Sequence, residues 1–250
     1  MIKEYYRPET IEEALELLAR ETPLTRPMAG GTELNSPSND QFDVVDLQSL
    51  GLDKIELKGS NIKIGAMATL QDLLSVSDLP SALSEAIHHE ATYNLRQSAT
   101  AAGTLVSATG RSAFATALLA LDAQLVMMPN EEKLALGELL PLRSELLKGK
   151  LITEILIPGN VKLAYQYVSR SPADLPIVCV AVAAWSSGRT RIVLGGYGTA
   201  PIMVVDGKDE NDVLSAVGHA YMQAEDEWAS AEYRVEIAKT LTKRCLYLVK

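Results

Sequence analysis

The sequence predicts an α+β chain, with two small α/β lobes followed by a C-terminal α+β lobe. Three observations predict it. Strand-like and helix-like patterns alternate through residues 1–160. From residue 163 onward the alternation stops, and three strand-like runs follow one another before two helical patterns end the chain. Two loops of glycine and small residues, 26–35 and 95–105, lie between segments of regular pattern.

The elements follow in order. Thr10 with Glu13 three residues later is a capping box, and Ile11, Ala14, Leu15 and Leu18 then fall on one helical face. Residues 26–29 lead into the first loop. Residues 43–47, Asp-Val-Val-Asp-Leu, read as a short buried strand and complete a lobe of about 1–56. The second lobe, 57–160, opens with a strand at 62–66. Thr69 and Asp72 repeat the capping pattern around Leu70, Leu73 and Leu74. A helix from about 79 to 90 leads to the second loop, a helix covers 114–121, and strands cover 123–128 and 152–157, the latter closed by Pro158-Gly159. In the C-terminal part, 161–250, the runs 164–169, 177–185 and 190–194 predict a three-stranded antiparallel sheet. The last helix places Tyr233, Ile237, Leu241, Cys245 and Leu248 on one stripe. No long linker, internal repeat or low-complexity segment interrupts the pattern.

Composition narrows the function. The chain has 250 residues, 47% hydrophobic and 22% charged, which are ordinary globular values. A net charge of −9 argues against nucleic acid, whose phosphates need clustered Lys and Arg. No apolar run approaches the roughly 20 residues of a membrane span. The start, Met1-Ile-Lys-Glu-Tyr-Tyr, has no apolar signal core, and with two cysteines the chain fits a reducing cytoplasm. Cys179 and Cys245 are too few for an iron–sulfur cluster or a structural zinc site, and their apolar surroundings read as packed core thiols. His88-His89 reads as a solvated helix end, His219 has no companion ligand, and no Ser–His–Asp pattern is present.

The chemistry therefore rests on the two loops. Glycine admits φ > 0 and close approach to the main chain. Successive N–H groups in such a turn form a concave anion site without a basic side chain. Two such loops suit one ligand with two adjacent phosphates, held from both sides.

The order and spacing of further motifs carry a resemblance. They are Ala29-Gly-Gly-Thr-Glu-Leu34, Val45-Asp-Leu47, Ile64-Gly-Ala66 with Thr69, Leu95-Arg96 before Ala99-Thr100, and Ala117-Leu-Leu-Ala-Leu-Asp-Ala123. After them come Ile155 to Pro158, Ser169-Arg170 with Asp174, Gly195-Gly196 with Pro201, and Ser230-Ala-Glu-Tyr-Arg234. Over its whole length the chain resembles the FAD-binding medium subunit of the molybdenum hydroxylases. That family includes the flavoprotein subunits of aerobic carbon monoxide dehydrogenase and of xanthine dehydrogenase-like enzymes. The resemblance implies a two-lobed FAD-binding domain of the PCMH type over 1–160 and a C-terminal flavoprotein domain over 161–250. It implies FAD held by Pro27, Met28, Ala29, Gly30, Gly31, Thr32, Glu33 and Leu34 of the first loop. Thr100, Ala101, Ala102, Gly103 and Thr104 of the second loop would join them, with Ile155. Thr32 and Thr100 suit either contacts to a phosphate or ribityl group or helix caps. It places the flavin between the N-terminal lobes and the C-terminal lobe, with Tyr197 a candidate neighbour of the isoalloxazine. Asp174 and Arg234 are candidates for a structural ion pair or for flavin contacts. The implied partners are a small [2Fe-2S] subunit, a large molybdopterin-binding subunit and NAD or a quinone-type acceptor, in a dimer of heterotrimers. The implied activity is that of an FAD-dependent oxidoreductase subunit, which carries electrons from the clusters to the acceptor.

Several positions depart from the family pattern. The second loop reads Thr100-Ala-Ala-Gly-Thr104 where Thr-Ile-Gly-Gly-Asn is usual. Ala113 stands where an Asp is usual, Gln166 where a basic residue sometimes stands, and Glu33 where Asp is common. An alanine forced into a glycine conformation costs about 1–2 kcal/mol, and a lost hydrogen bond roughly 0.5–1.5 kcal/mol. Together they predict a weakening on the order of ten- to a hundredfold. Three readings remain open at this point: a flavoprotein electron-transfer subunit, a degenerate structural subunit with weak or no FAD binding, and a free-standing nucleotide-binding protein.

Overall fold

The computed structural model describes residues 2–34, 41–208 and 212–250. In chain order the elements begin β1 (Ile2–Tyr6), α1 (Ile11–Leu18), β2 (Thr25–Met28), β3 (Phe42–Asp46), β4 (Ile55–Lys58), β5 (Asn61–Gly65), α2 (Leu70–Leu73), α3 (Ser81–Glu90) and α4 (Tyr93–Arg96). Next are α5 (Ala101–Ser107), α6 (Ala113–Ala120), β6 (Gln124–Met128), β7 (Glu132–Ala135), α7 (Leu136–Leu139), α8 (Arg143–Leu146) and β8 (Leu151–Pro158). The last are β9 (Val161–Val168), β10 (Val178–Trp185), β11 (Thr190–Gly195), β12 (Ile202–Gly207), α9 (Val213–Ala220) and α10 (Ala231–Val249). The chain packs as two compact units. One comprises residues 1–75, 93–107 and 124–156; the other comprises 76–92, 108–123 and 157–250.

The first unit holds two sheets. A parallel three-stranded sheet has the order β1-β3-β2. Its central strand is buried at every position, including Asp43 and Asp46. Ala14 of α1 packs with Val45 and Leu47 of this layer and with Leu151, and Leu15 and Leu18 flank them. The Thr10 hydroxyl accepts from the Glu13 N–H at 3.2 Å, while the Glu13 carboxylate reaches back to the N–H of Glu9 at 3.0 Å. At Thr69 the reciprocal box with Asp72 is complete. Pro27 sits in β2, an edge strand, where its missing N–H costs no ladder bond. The second sheet runs β4-β5-β8-β6-β7, with antiparallel hairpins β4–β5 and β6–β7.

The second unit is built on an antiparallel sheet in the order β12-β11-β10-β9. Successive residues of a strand point to opposite faces, and β10 buries both. Val178, Val180 and Val182 face a core with Val217 of α9 and Ala238, Leu241 and Cys245 of α10. On the other face Cys179 meets Thr116 of α6. The three expected strands are β9, β10 and β11, and β12 adds a fourth. Its Ile-Met-Val-Val run has no polar alternation, so periodicity gave no signal, and its position at the sheet edge leaves Ile202 and Met203 exposed.

The stripe expected on the last helix needs correction. The buried positions are Arg234, Ala238, Leu241, Cys245 and Val249, while Tyr233 and Leu248 are exposed. A fully buried arginine takes the place a hydrophobe was expected to fill. Its Nη1 donates to the Ala224 and Ala229 carbonyls at 2.6 and 3.1 Å, and its Nη2 pairs with Asp226 at 2.7 Å. Those acceptors replace water around the charge, which is what a buried cation requires. Among the described residues no helix is long and apolar enough to cross a membrane.

Candidate functional site

The two small-residue loops both belong to the first unit, and they touch. A Cβ on Gly30 would lie 1.7 Å from the Ser98 carbonyl oxygen. One on Gly103 would lie 3.9 Å from the Ala29 Cβ and 2.8 Å from the Thr100 Oγ1. Glycine at 30 is therefore a packing requirement: the first loop rests on the main chain of the second. Gly31 has a different reason. Its φ is +70°, in the left-handed region, and the nearest atom to its missing Cβ is the Met28 Sδ at 3.8 Å. Space is available there; the backbone conformation is what selects glycine.

The first loop follows β2 directly. Pro27 and Met28 are in the strand, opposite Val45 and Asp46. Ala29, Gly30, Gly31, Thr32 and Leu34 are half-buried and Glu33 is exposed. Asn35 lies outside the described residues. Among the described residues the N–H groups of Gly30, Gly31 and Thr32 meet no hydrogen-bond acceptor. Three consecutive open N–H groups around a left-handed glycine make a main-chain anion cradle.

The second loop is not a loop over most of its length. Residues 93–96 and 101–107 are the helices α4 and α5, and Ala101, Ala102, Gly103 and Thr104 form the first turn of α5. Thr100 caps that turn, its Oγ1 accepting from the Gly103 N–H at 3.2 Å. The other donors are also engaged. Ala101 N–H goes to the Ala68 carbonyl at 2.8 Å, Ala102 N–H to Ala66 at 3.2 Å, and Thr104 N–H to Thr100 at 2.9 Å. The Thr104 hydroxyl donates to the same Thr100 carbonyl at 2.8 Å. Leu70 N–H to the Ala99 carbonyl at 2.9 Å completes an antiparallel seam between 66–70 and 99–102. Two expectations change. Ala102 lies in a right-handed helix and has no positive φ, so the glycine-conformation penalty assigned to it does not arise. And the second loop offers no open amide from Ala101 to Thr104, because the helix turn and the seam take all four.

Ile155 is not among these contacts. Its side chain is fully buried in β8, opposite Leu125. Tyr197 belongs to the second unit, where its hydroxyl donates to the Gln223 carbonyl at 3.3 Å and its ring lies 5.0 Å from the Arg234 guanidinium. Asp174 and Arg234, candidates for an ion pair or for flavin contacts, do not pair with each other: Arg234 pairs with Asp226 at 2.7 Å and Arg170 with Asp174 at 3.5 Å.

His89 also differs from expectation. It is buried rather than solvated, its ring 3.6 Å from that of Tyr167 and its Nδ1 3.3 Å from the Tyr165 hydroxyl. Burial lowers its pKa, favouring the neutral ring. Beside it in sequence, Glu90 accepts from the Ser112 hydroxyl at 2.9 Å and the Phe114 N–H at 2.8 Å, holding the start of α6. Burial pushes the Glu90 carboxyl up and these donors pull it back. Sequence alternation alone gave no sign of this polar cluster, because its members lie on α3, α6 and β9. Burial pushes both thiols, Cys179 and Cys245, up to about 12, so neither offers a thiolate at neutral pH. Among the described residues no group of His, Cys, Asp and Glu is placed to hold a metal ion.

A diphosphate fits this donor set from one side. The open amides of Gly30, Gly31 and Thr32 suit its anionic oxygens, and the second loop supplies the wall that fixes Gly30. Comparison with known proteins agrees with the expected cofactor. Residues 1–160 match the FAD binding domain in molybdopterin dehydrogenase. The Escherichia coli protein YgfM is 32% identical over 248 residues, covering 96% of this chain and 94% of that protein. The 6-hydroxypseudooxynicotine dehydrogenase complex subunit alpha of Paenarthrobacter nicotinovorans is 29% identical over 274 residues, covering 97% of this chain and 93% of that subunit. In fold, a chain of the carbon monoxide dehydrogenase from Hydrogenophaga pseudoflava superposes with a TM-score of 0.83 at 22% identity, over 100% of this chain and 97% of that one. The chain belongs to the molybdopterin dehydrogenase family, and its first 160 residues are that family's FAD-binding domain.

Proposed function

We propose that this chain is the flavin-bearing electron-transfer subunit of a heteromeric molybdenum hydroxylase. The observation that carries the reading is the row of open amides at Gly30, Gly31 and Thr32, set in an FAD-binding domain of this family. These amides hold the cofactor diphosphate, and Gly30 is positioned for this by its seat on the Ser98 carbonyl. When bound, FAD supplies exchange between one-electron and two-electron carriers. The protein's part is to anchor the diphosphate and to fix the cofactor through the first loop. The donor clusters and the molybdenum centre then belong to partner chains: a small [2Fe-2S] subunit and a large molybdopterin-binding subunit, in a cytoplasmic dimer of heterotrimers, with NAD or a quinone-type molecule as acceptor. Two buried thiols cannot ligate a cluster here, and one relative is by its name a subunit of a dehydrogenase complex.

One observation favours the rival reading of a structural subunit with weak FAD binding. The amides of Ala101, Ala102, Gly103 and Thr104 are all engaged, so the helical turn of the second loop offers the diphosphate no main-chain donor. A visible spectrum of the purified protein separates the two. Stoichiometric flavin bands support the electron-transfer reading; a colourless protein that takes up no added FAD contradicts it. Native mass spectrometry after co-expression with the neighbouring genes tests the partners. The chain should assemble with a cysteine-rich small subunit and a large subunit, and its remaining alone while those two assemble would contradict the proposed role.

A further inference from the structure

The second unit carries a cationic cluster on Trp228 that the flavin reading does not use. The Arg170 guanidinium carbon lies 4.1 Å from the Trp228 ring centre and that of Arg111 lies 4.5 Å from it. Each is within cation–π range of the ring. Arg111 is held in place by main-chain carbonyls, its Nε donating to Pro176 at 2.9 Å and its Nη2 to Leu175 at 2.6 Å. A guanidinium has five N–H donors, so these bonds leave the Nη1 edge open.

The acidic neighbours are already engaged. Asp226 accepts from Arg234 at 2.7 Å and from the Trp228 N–H at 2.8 Å, and Asp174 faces Arg170 at 3.5 Å. Among the described residues no carboxylate lies within ion-pair distance of Arg111. Arg111, Arg170 and Arg234 share Asp174 and Asp226, and Glu225 and Glu227 flank the same segment, so recognition of an anion here rests on the open Nη1 edge of Arg111 and not on a net positive charge. The two guanidinium carbons lie at most about 9 Å apart, and each guanidinium can form a two-pronged fork with phosphate oxygens. The Arg170 side chain is 58% exposed, so its plane is also open to stack on a planar base.

We propose that Arg111 and Arg170, held on Trp228, form a binding site for a diphosphate-bearing nucleotide. All its residues belong to the second unit, whereas the Gly30, Gly31 and Thr32 amides belong to the first. The guanidiniums bind the phosphates and Arg170 stacks on the base.

Tryptophan fluorescence tests this directly. The chain has two tryptophans, and Trp185→Phe leaves Trp228 as the reporter. ADP should change its emission saturably, with a lower Kd than inorganic pyrophosphate, and added salt should weaken both. Arg170→Gln, an exposed change that leaves the Arg111 anchors intact, should weaken ADP by about tenfold, the worth of one charge-assisted pair. Arg111→Gln should weaken it at least as much. Gly31→Asp, which closes the first loop to phosphate, should leave the ADP response unchanged. Any one of four results overturns the proposal: no saturable response to ADP, an equal Kd in Arg170→Gln, pyrophosphate binding as tightly as ADP, or loss of the response in Gly31→Asp. Flavin content is read separately in the same samples, so a failed FAD cradle and a failed nucleotide site give different outcomes.

Discussion

The two small-residue loops of the first unit have similar composition and opposite hydrogen-bonding states. In the first, three consecutive amides are open around a left-handed glycine. In the second, the corresponding small residues form a capped helical turn whose donors are taken by Thr100, Ala66 and Ala68. The difference shows that a glycine- and alanine-rich stretch is not by itself an anion site. What matters is whether the backbone leaves its N–H groups unshared. The second loop's contribution is mechanical: its Ser98 carbonyl occupies the space where a Gly30 side chain would be.

That contrast can be broken at its joint. Gly30→Ala drives a methyl to within 1.7 Å of the Ser98 carbonyl oxygen, and neither side of the contact is a flexible side chain. The expected cost is about 3 kcal/mol of stability, from the overpacking of main chain on main chain, with loss of bound flavin. Urea denaturation followed by circular dichroism, together with the flavin-to-protein ratio, measures both. A variant as stable as the parent would show that the loops do not bear on each other.

Gly31 separates conformation from charge. Gly31→Asp should cost at most about 1 kcal/mol for the left-handed backbone, which Asp, like Asn, tolerates, and should empty the cradle by placing a carboxylate against phosphate. Gly31→Asn has nearly the same shape, and Asn tolerates the left-handed region. It should keep much of the flavin. Equal flavin loss in both variants would mean that backbone strain, not the anion, governs occupancy.

Smaller effects are expected in the second loop. Thr100→Val removes the cap of α5 and should cost about 1 kcal/mol, with FAD affinity changed by less than threefold. Ala102→Gly should cost roughly 0.5 kcal/mol as a glycine in a helical turn and should not tighten FAD. A rise in affinity from calorimetric titration of Ala102→Gly would restore the reading in which Ala102 occupies a strained glycine position.

Much of this architecture was legible in the residues. The capping patterns at Thr10 and Thr69 located α1 and α2, and the apolar run through Cys179 located β10, because caps and continuous burial leave local traces. The role of the second loop left none. Its state depends on the seam with 66–70, a pairing between segments thirty residues apart, and the motif alone reads the same open or closed. Arg234 and His89 escaped for a related reason: a buried polar side chain is recognised only by its acceptors, and those come from other elements. The motif marked the first loop as a small-residue turn, while the distinct demands of Gly30 and Gly31 depend on the Ser98 carbonyl and on the left-handed backbone, which leave no local trace.

The contrast to be tested lies between the first-loop amides, proposed to bind the diphosphate, and the amides of Ala101 to Thr104, which are already engaged. Amide hydrogen exchange read by NMR on the apo protein and its FAD complex tests it most directly. FAD should protect Gly30, Gly31 and Thr32. Ala101, Ala102, Gly103 and Thr104 should be protected already and change little. Fast exchange at 101–104 in the apo protein, slowed by FAD while the first loop is unaffected, would contradict it.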